Sequence, residues 1–382
     1  MKKINKTLKA AKVSRRSVLK GAAAAGAVAA IGPWYIPNAF AAPVVNVLMW
    51  SEYLPDSVVE KFKEATGITI NHTTIGDNDD IIAQMKAGNG KGFDLCSPTN
   101  MKGQAWSNLG LLQAYDMNKI NTSAVNPGML SVGERDWNFG SGSCWVPQLW
   151  GTESIAWRTD KWSPDGLPSF GDIWEPNGDP ELTSNFMMGR TYSMMTGCGI
   201  WMHEKGEMDF WSSYESEDNM RKVWDQLTAY CISKKSNLNK FWKGADPQKQ
   251  GFTSDGVIVG QCWDGPITSM RAAGEPVAYR TTDEGALAWV DGISMSVGAE
   301  NIDEAYALIN FSFTPEIGAE TVNTIGYNSA IIGASDLYSQ ETKDKTAFVY
   351  PGETLANLNP WPAEPQWFLD LRAEYANKFQ TA

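Results

Sequence analysis

The chain is poor in the residues from which metal centres and nucleophilic catalysts are built. Its two histidines, His72 and His203, are far apart, in no ligand spacing, and read as ordinary surface or loop residues. The five cysteines, Cys96, Cys144, Cys198, Cys231 and Cys262, are scattered, odd in number and free of C-x-x-C spacing. Such spacing argues against a disulfide framework and more strongly against a zinc site. One bridge is compatible with an oxidising compartment, and the spacing does not name its partners. G-x-S-x-G, P-loop and H-E-x-x-H motifs are missing, and no nucleophile, base and metal set converges. The expectation is a protein that is not an enzyme and holds no metal or cofactor. Long apolar runs are missing too. Gly21 to Ile31 is apolar but rich in Gly and Ala and too short to cross a bilayer. Positive charge is scarce, with 32 Lys and Arg against 44 Asp and Glu.

What is present begins with an export leader. Ser14-Arg15-Arg16-Ser17-Val18-Leu19-Lys20 spells a twin-arginine signal, Gly21 to Ile31 is its apolar core, and Ala39-Phe40-Ala41 is a small-x-small cleavage site. Residues 1–41 are therefore expected to be removed, leaving a periplasmic chain from about Ala42. Passengers of this pathway cross folded and often carry cofactors. With nothing here to hold one, folding before export is the better explanation of the signal. Taking the leader's eight basic residues from the 32 leaves 24 against 44 acidic ones, a net charge near −20. A body this acidic is a poor partner for nucleic acid or anionic membrane, and its field favours a cationic ligand.

The mature chain is long for one core and suits two lobes. Val44 to Trp50 reads as a buried strand. Asp56 reads as the N-cap of a helix to Thr66 that Gly67 ends. Ile68 to Thr74 alternates as a strand, Asp79 to Ala87 as a helix, and Phe93 to Ser97 as a third strand. Strand, helix, strand, helix, strand predicts an open parallel sheet with helical crossovers. Ligands in such sheets sit at the carboxyl ends of strands, here Trp50 to Tyr53 and Ser97 to Asn100. Trp145 to Trp157 is an extended crossover into a second lobe. Helices are expected near Asp218 to Ser233, at Asp303 to Phe313 and at Trp367 to Phe379. Gly256 to Trp263 reads as a buried strand, and Leu287 to Val297 as the strand that crosses back.

These residues match a known pattern. Trp50-Ser51-Glu52-Tyr53-Leu54-Pro55 with Thr66-Gly67-Ile68-Thr69-Ile70, and Phe93-Asp94-Leu95 with Ser97-Pro98-Thr99, resemble the spermidine- and putrescine-binding proteins of bacterial ABC importers. The likeness continues in order through Trp150-Gly151-Thr152, Cys262-Trp263-Asp264-Gly265, Trp289-Val290-Asp291, Glu304 to Phe311, and Thr324-Ile325-Gly326-Tyr327. No single motif is specific; together they span the mature chain. The resemblance implies an α/β, two-lobed periplasmic binding protein of type II, with the ligand cleft between lobes and a hinge of two crossover strands. Lobe 1 is expected at 42–150 plus roughly 292–328, and lobe 2 at roughly 151–291 plus 329–382. It implies a solute-binding component of an importer, with an inner-membrane ABC permease as partner and a monomeric state. A sensor subunit remains an alternative that sequence does not separate.

Organic cations are held by aromatic faces and carboxylates. Trp50, Tyr53, Trp150, Trp263, Trp289 and Tyr327 stand at, or next to, positions where the resembled family places ligand contacts. Trp242 is a weaker candidate. Asp291 and Asp264 are the candidate carboxylates, each close after an aromatic residue, although Asp264 is out of the family's register. Ser51 and Thr99 are placed to supply hydroxyls. Two departures stand out. Met101 replaces an aromatic, and the stretch Phe186 to Ser193, where polyamine binders carry a second acid, has none and has Arg190. An arginine opposite an aromatic cage suits a carboxylate. The ligand expected is therefore a small cation or zwitterion. An onium zwitterion such as glycine betaine or dimethylsulfoniopropionate is slightly favoured, with a polyamine as the alternative. An Asp or Glu folding into the cleft would restore the polyamine reading.

Overall fold

A computed structural model describes residues 43–176, 186–187 and 191–382. The leader, its cleavage site and Arg190 lie outside the described residues. Val44–Trp50 (β1) is a nearly continuous apolar run, as a strand covered on both faces requires. Asp56–Thr66 (α1) follows. Asp56 is its first helical residue, not its N-cap: Pro55 takes the cap position and no side chain caps it. Gly67 closes α1 with φ 75°, a left-handed conformation that glycine adopts without penalty. Thr69–Ile75 (β2) pairs parallel to β1 throughout. Asn78–Ala87 (α2) is capped by the Asp77 carboxylate, which accepts from Asp79 N–H. Leu95–Cys96 (β3) completes the predicted unit but is shorter than Phe93 to Ser97. Asp94 turns inward and accepts from Asn46, Glu300 and Asn301.

After Leu112–Gln113 (β4), Val146–Arg158 (β5) runs from one lobe into the other. Phe186–Met187 (β6), Thr191–Glu204 (α3), Glu217–Ser233 (α4), Leu238–Lys240 (β7) and Ala245–Thr253 (α5) build the second lobe. Val259–Trp263 (β8) starts three residues later than expected, because Gly256, at φ 77°, bends the chain. It leads into Asp264–Ala272 (α6), then Val277–Arg280 (β9). Leu287–Ser296 (β10) crosses back, pairing antiparallel with β5 at its start and with β3 and β4 at its end. Ile302–Ser312 (α7) packs on β1 and α1, and Pro315–Ile325 (α8) on α1. Asn328–Ser329 (β11), Gln340–Val349 (α9), Asn359–Pro360 (β12) and Gln366–Thr381 (α10) complete the chain, α10 lying on α3 and α4. The path β2-β1-β3-β10-β5-β8-β6-β7 is the two-lobed α/β architecture expected, with β5 and β10 as its crossovers.

Neither histidine lies in a loop. His72 is in β2, with Nε2 3.2 Å from Met49 O, and His203 is in α3. The five cysteines are free thiols, all buried.

One buried ionic group fastens the C-terminal segment to the first lobe. Glu364 takes Lys102 Nζ at 2.8 Å on Oε2 and Arg372 Nη1 at 2.5 Å on Oε1. All three side chains are almost fully buried. Burial alone would raise the Glu364 pKa, but Arg372 and Lys102 outweigh it and hold the carboxyl below its usual range. Removing one member of such a group strands the others without counter-charge. Glu364→Gln should therefore cost about 3–5 kcal/mol, read as a lower urea midpoint. A midpoint matching that of the unmodified protein would show that the group is not needed for stability.

Candidate functional site

The carboxyl end of β1 delivers Trp50 to a cleft between the lobes, and the loop after it delivers Ser51, Glu52 and Tyr53. Trp50 Nε1–H donates to Ser97 O at 2.9 Å, which fixes the indole. From the second lobe, β8 ends in Trp263, whose ring meets Trp50 edge-on at 5.9 Å and Trp242 at 4.9 Å. Trp289 projects from β10. Tyr327, just beyond α8, sits edge-on to it at 5.1 Å and to Tyr53 at 5.8 Å. Two glycines make room. A Cβ on Gly151 would come within 2.4 Å of the Trp289 ring, and one on Gly265 within 2.4 Å of Tyr327. The result is an aromatic box around a cavity of about 50 Å³. A groove of about 540 Å³ lies elsewhere, among α6, α8 and α9, and carries no such box.

Asp291 opens into this box at an irregularity of the β5/β10 ladder between residues 291 and 292. Tyr53 donates its hydroxyl to Asp291 Oδ2, and burial together with that carboxylate pushes the phenol well up from its usual pKa. Thr99 lines the cleft, bridges to Asp291, and is held by Asn78 through its own N–H and hydroxyl oxygen. Ser51 is exposed at the mouth. There Lys249 Nζ reaches Glu52 at 2.6 Å and Lys243 Nζ reaches Asp80 at 3.0 Å, both across the cleft.

Of the residues named from sequence, Trp50, Ser51, Tyr53, Thr99, Trp263, Trp289, Asp291 and Tyr327 line one cavity. Trp150 and Asp264 do not. Trp150 turns to Ser329 and Tyr350 on the far side of β5. Asp264 is built into the wall, where its carboxylate accepts from Thr152 N–H, Asn328 Nδ2 and Tyr350 Oη. Residues that sequence reasoning passed over also line the cavity, among them Glu153, Asn78, Tyr192 and Trp361. Alternation along β5 was the available signal for Glu153, since it falls on the same face as Gly151.

The model of the bacterial extracellular solute-binding protein family matches residues 57–349, and a twin-arginine translocation signal matches residues 12–32. The chain belongs to that solute-binding family. It resembles the spermidine/putrescine-binding periplasmic protein of Escherichia coli (strain K12), at 26% identity over 351 residues, covering 87% of this chain and 90% of the relative. A putrescine-binding periplasmic protein of the same strain is 24% identical, covering 82% and 85%. Among solved structures, the spermidine/putrescine ABC transporter substrate-binding protein of Streptococcus pneumoniae superposes with a TM-score of 0.69. It is 20% identical and covers 89% of this chain and 99% of that one. The protein is thus a non-catalytic solute-binding protein, exported to the periplasm by the twin-arginine route.

The wall acid carries its own pH signature. Burial pushes the Asp264 carboxyl up to about 7, despite the hydrogen bonds from Tyr350 and Thr152. An acid whose folded pKa exceeds its unfolded value near 4 stabilises the fold most when protonated. Its contribution therefore shrinks as pH rises from about 4 to 7 and is flat above. Asp264→Asn should gain on the unmodified protein by up to about 4 kcal/mol between pH 4 and pH 8. Urea titrations at both pH values read this directly; a constant difference between the two proteins would contradict it.

Proposed function

We propose that the protein captures a cation of the polyamine class in the periplasm, as a monomer, and passes it to an inner-membrane ABC permease. The observation that carries this is the aromatic box of Trp50, Tyr53, Trp263, Trp289 and Tyr327 set around the Asp291 carboxylate. A ring face attracts a cation by about 0.5–2 kcal/mol per contact, more as water is excluded. The carboxylate adds charge and direction. The curated relatives' names, spermidine/putrescine- and putrescine-binding, support the same class. The zwitterion reading rests on Arg190, outside the described residues, and on a missing second acid, whereas an acid that sequence reasoning passed over, Glu153, also lines the cavity. Capture works by population shift: ligand touching both lobes favours the closed form over the open one.

One observation favours a second reading. Trp289 Nε1–H is buried, 7% exposed as a residue, with no acceptor among the described residues. An onium zwitterion would bring an acceptor to the same box.

Thermal shift separates the two. Putrescine, spermidine or agmatine, well above the dissociation constant, should raise the melting midpoint by several degrees, while glycine betaine and dimethylsulfoniopropionate should not. Asp291→Asn should weaken polyamine binding by tenfold or more, and Trp263→Ala likewise. A shift with the zwitterions alone would replace the first reading by the second.

A further inference from the structure

Behind the aromatic box lies a buried polar chain. Tyr279 Oη stands 2.8 Å from Thr152 Oγ1, Thr152 Oγ1 3.0 Å from Tyr350 Oη, and Tyr350 Oη 2.9 Å from Asp264 Oδ2. An ionised carboxylate only accepts, and each hydroxyl has one hydrogen to give. Ionised Asp264 therefore sets the direction of the whole chain: Tyr279 donates to Thr152, Thr152 to Tyr350, and Tyr350 to Asp264. Asp264 Oδ1 also accepts from Thr152 N–H at 3.2 Å, and Oδ2 from Asn328 Nδ2 at 3.2 Å. These side chains are all buried, and none of them lines the cleft.

The chain leads straight to the box. Asp264 follows Trp263, and Asn328 follows Tyr327. Thr152 follows Gly151, where a Cβ would meet the Trp289 ring at 2.4 Å and Asp264 Oδ1 at 2.6 Å. Carboxylate and indole thus press on the same point of β5. One buried acid holds, from behind, the segments against which Trp263, Trp289 and Tyr327 are set. Protonation undoes this. A protonated Oδ2 is a donor facing two donors, Tyr350 O–H and Asn328 N–H. Tyr350 can turn its hydrogen to Thr152 and reverse the chain, but the Asn328 amide then loses one of its two acceptors. The negative charge felt by Tyr53 and Tyr327 in the box is lost with it.

We infer that Asp264 is a positioning residue for cation capture: ionised, it holds Trp263, Trp289 and Tyr327 in the arrangement that binds, and protonated, it loosens them. The inference rests on the cation-binding reading above and adds a control by pH. Burial pushes this carboxyl up to about 7, so both forms are populated near neutrality. The phenols that face it, of Tyr350, Tyr279, Tyr327 and Tyr53, are all pushed well above their usual range by burial and do not titrate there. Lys345 also faces it and donates to Gly326 O at 3.1 Å. Glu52, Glu153 and Asp291 act on the same phenols, and a variant of Asp264 alone separates their titration from its own.

The test is isothermal titration with putrescine from pH 5.5 to pH 8, on the mature protein, D264N and Y350F. The unmodified protein should bind about tenfold or more tightly at pH 8 than at pH 5.5. The step should centre near pH 7. Asparagine is fixed in the neutral form, so D264N should bind weakly throughout and lack that step. Y350F takes one donor from the ionised form and touches nothing in the cleft, so its step should move to higher pH. A merely structural role would lower affinity by one factor at every pH and move no midpoint. If D264N does not fold, the midpoint of Y350F decides. A D264N that keeps the step, or a Y350F with an unmoved midpoint, overturns the inference. Putrescine binding without the step in the unmodified protein overturns this inference alone; no binding at any pH overturns the polyamine reading with it.

Discussion

Both lobes hang from one antiparallel ladder, β5 against β10, running from Leu287 opposite Glu153 to Ile293 opposite Val146. Such a ladder satisfies its own backbone groups, so the chain passes twice between lobes without leaving buried polar atoms exposed to a changing environment. Its single irregularity, between Asp291 and Gly292, is braced on two sides. Gly292 N–H donates to Pro98 O at 3.2 Å, and Trp145 lies so close that a Cβ on Gly292 would meet it at 2.2 Å. Asp291, Trp289 and Glu153 therefore lie on the paired crossover strands themselves. Trp50 and Tyr53 come from β1 and the loop after it and Trp263 from the end of β8, so the box is assembled from separate elements.

The charges divide into two classes with different work. Lys243–Asp80 at the mouth is open to solvent, and pairs of that kind contribute about 0–1 kcal/mol, whereas Lys249–Glu52 is partly buried. The buried charges are different. The Lys102–Glu364–Arg372 group pins the C-terminal segment beside the cleft, where Glu364 N–H also donates to Met101 O and Arg372 stacks on Tyr192 at 3.8 Å. Two cavity-lining residues, Met101 and Tyr192, are thus held by it.

The parallel unit at the start of the chain was legible because its signals are local: apolar runs, a helix-ending Gly67, and Trp50 to Tyr53 where a strand ends. The crossovers were legible as long extended runs, and eight of the named site residues meet in one cavity. Asp264 shows the limit. It follows Trp263 as a ligand acid would, yet its direction is set by Thr152 and Tyr350, 112 and 86 residues away. Trp150 is drawn off the cleft in the same way by Ser329, 179 residues distant. Glu153 was hidden for the opposite reason. Its strand was recognised, and alternation assigns Glu153 a face, but only the pairing shows that Asp291 shares that face.

The burial of all five thiols has a consequence in time. A twin-arginine passenger finishes folding in the reducing cytoplasm and meets oxidant only afterwards. Each sulfur here is already shielded by packing at that moment, so access of oxidant, and not the thiol's chemistry, governs the rate of its oxidation. The order of events, folding first and transit second, serves as the antioxidant.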